Sequence, residues 1–215
     1  MIKIGFAGTL GGFSPNNSNK GRNSLKEWIW EYRHNYEYSQ TRSGYFLFKG
    51  IEFLKNKYNI GNNQLSVELW GNINNLNKVQ VLEFKIEDIV TISGYKTKAE
   101  SDKLLNDCDI LFLPLELNPP SHRSLFIPGK VFEYLKLSKP ILILSEQGDC
   151  LDIVKKSGLA INCNPTDSKE IASKLLRLIN NNNHLESIKP NIEYIQSCKA
   201  KNRIQDLAKV FDSLT

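Results

Sequence analysis

The sequence predicts an α/β protein built on a doubly wound parallel sheet of about six strands. Short apolar runs alternate with amphipathic helical patterns along the chain, and three of these runs end at a glycine. Strands that alternate with helices require crossover connections, which make the strands parallel and place helices on both faces of the sheet. Six strands in 215 residues fit one domain rather than two.

Six apolar runs have the length and composition of buried strands. They are Ile2–Ala7, Leu65–Trp70, Val90–Ser93, Ile110–Pro114, Ile141–Leu144 and Leu159–Cys163. Gly8, Gly71 and Gly94 stop the first three runs, and Pro140 ends the helix before the fifth. The helical patterns are Tyr45–Tyr58, Ala99–Asn106, Val131–Leu137, Cys150–Ser157 and Ser168–Asn180. In the tail, residues 186–215, the apolar spacing predicts one or two closing helices of the same domain.

Residues 14–43 interrupt this alternation. Ser24–Glu27 has capping-box spacing, and an apolar face follows on the helix that it would start. The pattern predicts a helix inserted in the loop after the first strand. Its apolar face (Leu25, Trp28, Ile29 and Tyr32) either packs as a local satellite core or docks onto another domain or a membrane surface.

Composition narrows the class of protein. The chain is 40% hydrophobic and 24% charged, which is ordinary for a globular protein. Its net charge of +5 comes from scattered Lys and Arg residues, which suits an anionic ligand and argues against nucleic acid. The four cysteines form no C-x-x-C pair, and no apolar run resembles a membrane span or a signal peptide. A cytoplasmic protein with reduced thiols is expected.

Several features fall at the carboxyl ends of the predicted strands, where open parallel sheets bind ligands. The glycine-rich run 8–12 allows backbone N–H groups to approach a phosphate, and the helix that starts near Gly129 and Lys130 has a positive dipole end. Tyr95 follows the third strand, and the polar loop after the fourth contains His122 and Arg123, which either contact a ligand or face solvent. The pattern G-x-G-x-x-G is absent, which disfavours a dinucleotide-dependent oxidoreductase.

Glu133 stands out because its neighbours Phe132, Tyr134 and Leu135 predict an apolar helix face. An unpaired buried carboxylate is costly, so Glu133 requires a partner. Lys130, one turn earlier, is one candidate. A ligand with hydroxyl groups is the other.

Three stretches resemble the C-terminal, donor-binding domain of GT-B glycosyltransferases, family 4 in particular. They are TISGYKTKAESDKLLNDCDILFLPL (91–115), PGKVFEYLKLSKPIL (128–142) and SGLAINCNPTDSKEIASKLLRLI (157–179). The resemblance covers about residues 2–185 and is strongest from Val90 onward. It implies a Rossmann-like domain, one half of a GT-B fold, in which residues 1–185 bind a nucleotide-sugar.

The resemblance also implies roles for individual residues. Glu133 would bind the ribose hydroxyls. Gly8 and Thr9 after the first strand, and Gly129 and Lys130 at the helix start, would hold the diphosphate. Tyr95 either lines the base pocket or is a turn residue. The implied site comprises Gly8, Thr9, Lys20, Tyr95, Gly129, Lys130 and Glu133, with Arg42 as the alternative to Lys20. Two residues depart from the family. Many relatives have a sugar-contacting glutamate where this chain has Leu125, and many have a basic residue where it has Thr9.

The resemblance implies a function in cell-surface polysaccharide or glycan synthesis. The protein would transfer a sugar from a nucleotide-diphosphate sugar, taken to be a UDP-sugar, to an acceptor. The resemblance also implies that transfer retains the anomeric configuration and that it needs no metal or other cofactor. The acceptor-binding domain of the family precedes the matching region, so this chain is expected to be the donor-binding half, inactive alone. A non-catalytic nucleotide-binding module and a GT-B-fold sugar epimerase remain alternatives, and the departures at Leu125 and Thr9 keep the first of them open.

Asp107-Cys108-Asp109 spells a D-x-D pattern, which holds a divalent cation in many other sugar transferases. Both aspartates precede the fourth strand and therefore lie at its amino end. The ligand site is expected at the carboxyl end, roughly 15 Å away at about 3.3 Å per residue. The position predicts that these aspartates bind no metal for the nucleotide.

Overall fold

The structure, a computed structural model, describes residues 1–15, 41–118, 122–181 and 183–213. Six parallel strands form one sheet in the order β3-β2-β1-β4-β5-β6. The strands are β1 (Ile2–Leu10), β2 (Leu65–Ile73), β3 (Val90–Ser93), β4 (Ile110–Pro114), β5 (Ile141–Leu144) and β6 (Ala160–Cys163). The predicted fold class is confirmed.

Helices connect the strands and continue into the tail. They are α1 (Tyr45–Tyr58), α2 (Asn75–Glu83), α3 (Lys98–Asn106), α4 (Lys130–Leu137), α5 (Asp149–Lys156), α6 (Ser168–Asn180), α7 (Asn183–Glu186), α8 (Ile192–Ser197) and α9 (Ala200–Asp212). The five predicted helical patterns agree with α1, α3, α4, α5 and α6 to within one residue at each end. The helix predicted from Ser24 onward lies outside the described residues.

Helix α2 was missed by the sequence analysis. Its buried positions are Asn77, Gln80 and Val81, so two of the three buried side chains are polar. A search for apolar periodicity does not detect a helix that buries amides. The amides have partners at the base of the first loop, described below.

Strands β1 and β2 are longer than predicted, because Gly8 and Gly71 do not stop them. The two glycines are partners in the parallel ladder, with φ of 144° and 118°. A Cβ on Gly71 would lie 2.3 Å from the Gly8 carbonyl oxygen. The absence of both side chains lets the ladder continue to Leu10 and Ile73.

The sheet separates two apolar cores. Helices α1, α2 and α6 cover one face, and α3, α4, α5 and α8 cover the other. All four cysteines are free and buried, and burial raises the pKa of the Cys108 thiol to about 11. Of the core and surface locations that their spacing allowed, the thiols occupy the core, where thiols are unreactive.

The two main tail helices differ in how they pack. Helix α8 contributes Ile195 to the second core, whereas α9 has no buried residue. The apolar residues of α9, Ile204, Leu207, Val210 and Phe211, are 54 to 66% exposed. None of the helices in the described parts of the chain is long and apolar enough to cross a membrane.

Candidate functional site

Strands β1 and β4 stop pairing before the carboxyl edge of the sheet, and we call the gap between their ends the β1–β4 crevice. Strand β1 pairs with β2 as far as Leu10 but with β4 only at Ile4 and Gly5. The strand order reverses at this point, since β2 and β3 lie on one side of β1 and the later strands on the other. Ligands of doubly wound sheets bind at such a switch point.

Helix α4 begins beside this crevice with Gly129 at its N-cap. A Cβ on Gly129 would meet no atom within 4 Å, so the space over the helix start is open. The N–H groups of Val131 and Phe132 already donate to the carbonyls of Pro128 and Gly129, at 3.0 and 3.2 Å. The backbone N–H groups of Gly129 and Lys130, together with the helix dipole, remain to attract an anion.

The Lys130 side chain turns away from the helix start and back toward β1. Its Nζ donates to the carbonyl oxygen of Ala7 and lies 5.2 Å from the centroid of the Phe6 ring. A Cβ on Gly8 would lie 2.7 Å from this Nζ, so glycine at this position makes room for the ammonium group. Burial lowers the pKa of Lys130, although the nearby Glu133 charge opposes the shift. This lysine is therefore not a solvated helix charge, and its ammonium group is engaged with Ala7 rather than with Glu133.

Glu133 was expected to be buried, and this is wrong. Its side chain is 47% exposed, because the buried stripe of α4 consists of Val131, Tyr134 and Leu135 and leaves residue 133 on the open side. The lysine that pairs with it is Lys98 of α3, with 3.3 Å between Nζ and Oε1. An exposed carboxylate at the start of α4 is accessible to a ligand.

The other predicted site residues are more scattered. Thr9 is exposed within β1, and Tyr95 is 84% exposed beyond β3, at the edge of the sheet. Lys20 lies outside the described residues. The alternative is Arg42, whose backbone carbonyl accepts the N–H of Gly11 at 2.8 Å. Burial is the main cause of the lowered pKa of Lys130, and the Arg42 charge adds a smaller effect in the same direction.

Asn77 of α2 holds the base of the first loop, a role the sequence analysis did not find. The side chain is fully buried. Its Oδ1 accepts the N–H of Gly44 at 2.9 Å, and its Nδ2 donates to the carbonyls of Gly11 and Asn74 at 2.8 and 3.1 Å. Gln80, one turn later, donates to the carbonyl of Phe13 at 2.6 Å. Amides at helical spacing after the Asn74 N-cap were the signal available in the sequence.

The loop after β4 is tied to α5 through Arg123. Its guanidinium bonds Asp149 Oδ1 at 2.6 Å and Asp152 Oδ2 at 2.7 Å. The side chain is 46% exposed, which agrees with the solvent-facing alternative, although the sequence did not predict these ion pairs. Leu125, which follows on the same loop, is 74% exposed.

The D-x-D aspartates lie at the opposite edge of the sheet, as predicted. Asp109 accepts the N–H of Lys3 on Oδ2 at 2.8 Å, at the amino ends of β1 and β4, and Asp107 is the C-cap of α3. Within the described ranges, no three His, Cys, Asp or Glu residues are grouped to hold a metal ion.

Residues 43–181 match the family model described as glycosyl transferases group 1. This segment is well over half of the 215 residues. The chain belongs to the glycosyl transferases of group 1. A comparison with curated proteins gave no significant match.

Solved structures share the fold of this family member. Anabaena Alr3699/HepE, in complex with UDP and glucose, has a TM-score of 0.58 at 15% identity, covering 97% of this chain and 48% of that one. A point mutant of S. aureus TarM, in complex with fondaparinux, alpha-GlcNAc-glycerol and UDP, has a TM-score of 0.57 at 14% identity, covering 97% and 35%. The chain thus spans about half or less of the length of these two proteins.

A third similar structure is comparable in extent to this group 1 chain. It is the catalytic domain of cholesterol-alpha-glucosyltransferase from Helicobacter pylori, with a TM-score of 0.50 at 16% identity. The match covers 92% of this chain and 97% of that one. Together, the family match and these structures confirm the resemblance to GT-B glycosyltransferases.

Proposed function

We propose that this chain is the donor-binding half of a glycosyltransferase that transfers a sugar from a UDP-sugar to an acceptor in surface-polysaccharide or glycan synthesis. The observation that carries the proposal is the exposed Glu133 carboxylate at the start of α4, beside the β1–β4 crevice. A carboxylate in this position accepts hydrogen bonds from the ribose hydroxyls of a nucleotide.

The diphosphate lies, in this proposal, over the start of α4. The N–H groups of Gly129 and Lys130 and the helix dipole favour a negative charge there, and the open space over Gly129 admits it. Gly8 and Thr9 form the opposite wall. Because the Lys130 ammonium is bonded to Ala7, we assign the cation that approaches the phosphates to Arg42 or Lys20.

The donor nucleotide is assigned as UDP, with Tyr95 beside the base. HepE and TarM are described in complex with UDP, and HepE also with UDP-glucose, which supports this choice for a chain of the same fold.

The acceptor-binding domain is the partner that we propose for the exposed apolar surface of the tail. Besides the apolar face of α9, a groove of about 970 Å³ between α4 and the tail is lined by Ile127, Phe132 and Ile192. Large exposed apolar surfaces are typical of interaction sites. In this arrangement sugar transfer requires both halves.

Titration with nucleotides tests the proposal. We expect the purified chain to bind UDP saturably in the high-micromolar range, because only half of the cleft is present, and to bind UMP more weakly because it lacks the second phosphate. Chemical-shift changes in ¹⁵N-labelled protein measure this binding, with GDP and ADP as competitors. A folded chain that bound no nucleoside diphosphate would contradict the proposal.

We further propose that donor binding needs no metal. EDTA is expected to leave the UDP affinity unchanged, and so is the double substitution Asp107→Ala, Asp109→Ala, because both aspartates lie at the amino edge of the sheet. The same titration measures both effects, and thermal melting checks that the variant folds without the Asp109–Lys3 hydrogen bond. Affinity that falls on chelation and returns with Mg²⁺ or Mn²⁺ would contradict this assignment.

A further inference from the structure

Lys98 links the two helices that begin at the carboxyl edge of the sheet. Its Nζ lies 3.3 Å from Glu133 Oε1 on α4 and 2.9 Å from Asp102 Oδ1 on its own helix α3. Nothing in the sequence motifs pointed to this lysine. Among the described residues, Lys98 is nevertheless the lysine within ion-pair distance of Glu133, the proposed ribose-binding carboxylate.

The backbone that carries Lys98 is held in place. Thr97 caps α3 in a reciprocal capping box with Glu100, in which the Thr97 N–H donates to Glu100 Oε2 at 2.8 Å and the Glu100 N–H donates to Thr97 Oγ1 at 3.3 Å. Ser101 accepts the indole N–H of the buried Trp70 at 3.2 Å, which ties α3 to β2. The ammonium group is exposed, but it extends from a rigid helix start.

The Glu133 carboxylate retains acceptor capacity after it pairs with Lys98. An ionised carboxylate offers about four lone-pair sites on its two oxygens. Lys98 uses one site on Oε1, so two neighbouring ribose hydroxyls can bind while the ion pair persists. The hydrogen bond to Asp102 is the largest cause of the raised pKa of Lys98. The Glu133 charge also raises this pKa, and burial opposes the shift.

We propose that Lys98 is a positioning residue for ribose recognition: anchored by Asp102, its ammonium group orients the Glu133 carboxylate to accept the two hydroxyls. The inference rests on the proposed function, since it assigns the partner of Glu133 in the donor site. It predicts that Lys98 acts through Glu133 and through the ribose, and has no direct contact with the phosphates.

Affinities for two ligands test this assignment. The ligands are UDP and 2′,3′-dideoxyuridine 5′-diphosphate, which keeps the base and phosphates but lacks the ribose hydroxyls. Lys98→Ala is expected to weaken UDP binding by about fivefold, the upper end for an exposed ion pair, and to leave the affinity for the dideoxy analogue unchanged. Lys98→Arg, which keeps the cation, is expected to retain most of the UDP affinity.

Two further variants isolate the effect. Lys103→Ala removes an exposed lysine from the same helix and should bind UDP as the wild type does. In a Glu133→Gln background, Lys98→Ala is expected to have no further effect, because the carboxylate that it orients is gone.

The outcomes separate this inference from the proposed function. If the wild-type chain binds no UDP, the donor-site proposal itself fails. If the wild type binds UDP and Lys98→Ala binds it equally or more tightly, only the positioning role is overturned. Equal losses for UDP and for the dideoxy analogue would also overturn it, because Lys98 would then act on the phosphates or the base.

Discussion

Glu133→Ala is expected to weaken UDP binding by about 10- to 100-fold, the equivalent of roughly 1.5–3 kcal/mol for charge-assisted hydrogen bonds. The melting temperature should change little. In the free protein the carboxylate is 47% exposed and pairs with an exposed lysine, and such ion pairs contribute only about 0–1 kcal/mol to stability. The titration with ¹⁵N-labelled protein measures the affinity, and a thermal melt of the same sample measures the stability.

Glu52→Ala is the matched control for this variant. Glu52 is also a helical glutamate paired with a lysine, with 3.1 Å between Lys49 Nζ and Oε2, but it belongs to α1 on the other face of the sheet. The Glu52→Ala variant should bind UDP as the wild type does. A Glu133→Ala protein that melted much earlier than the wild type and still bound UDP normally would show that the carboxylate is structural.

Asn77→Ala is expected to lower the free energy of unfolding by about 2–4 kcal/mol, since a buried N–H group and a half-buried carbonyl lose their partner. The variant leaves the N–H of Gly44 and the carbonyl of Gly11 unsatisfied at the base of the first loop. For a domain of this size, such a loss lowers the melting temperature by about 5–15 °C. Denaturant unfolding and thermal melting measure the two quantities.

Asn75→Ala provides the control from the same helix, because Asn75 is exposed. Asn77→Asp keeps the acceptor for Gly44 but loses the donors to Gly11 and Asn74, so it should also be destabilised. If Asn77→Ala were as stable as Asn75→Ala, the contacts of Asn77 would not hold the loop base.

The fold class followed from local patterns, because the elements that build the sheet are strongly apolar. All five residues of β4 and all four of β5 are buried, and a run buried on both sides is conspicuous in a sequence. Where the buried residues are polar, as in α2, the same patterns did not detect the element. The lengths of β1 and β2 also escaped prediction, since a facing pair of glycines is visible only when the strands are aligned.

By itself the sequence determined the six-stranded α/β architecture and the family resemblance, and it singled out Glu133 and its helix as candidates for the ligand site. The tertiary structure decided the surroundings of these residues. It placed Glu133 on the open side of α4, paired it with Lys98, which lies 35 positions away, and turned Lys130 toward Ala7, 123 positions away. Spacing within one helix favours partners three or four residues apart. The partners found here come from other helices and strands, which meet only because the parallel strands bring their carboxyl ends to one edge.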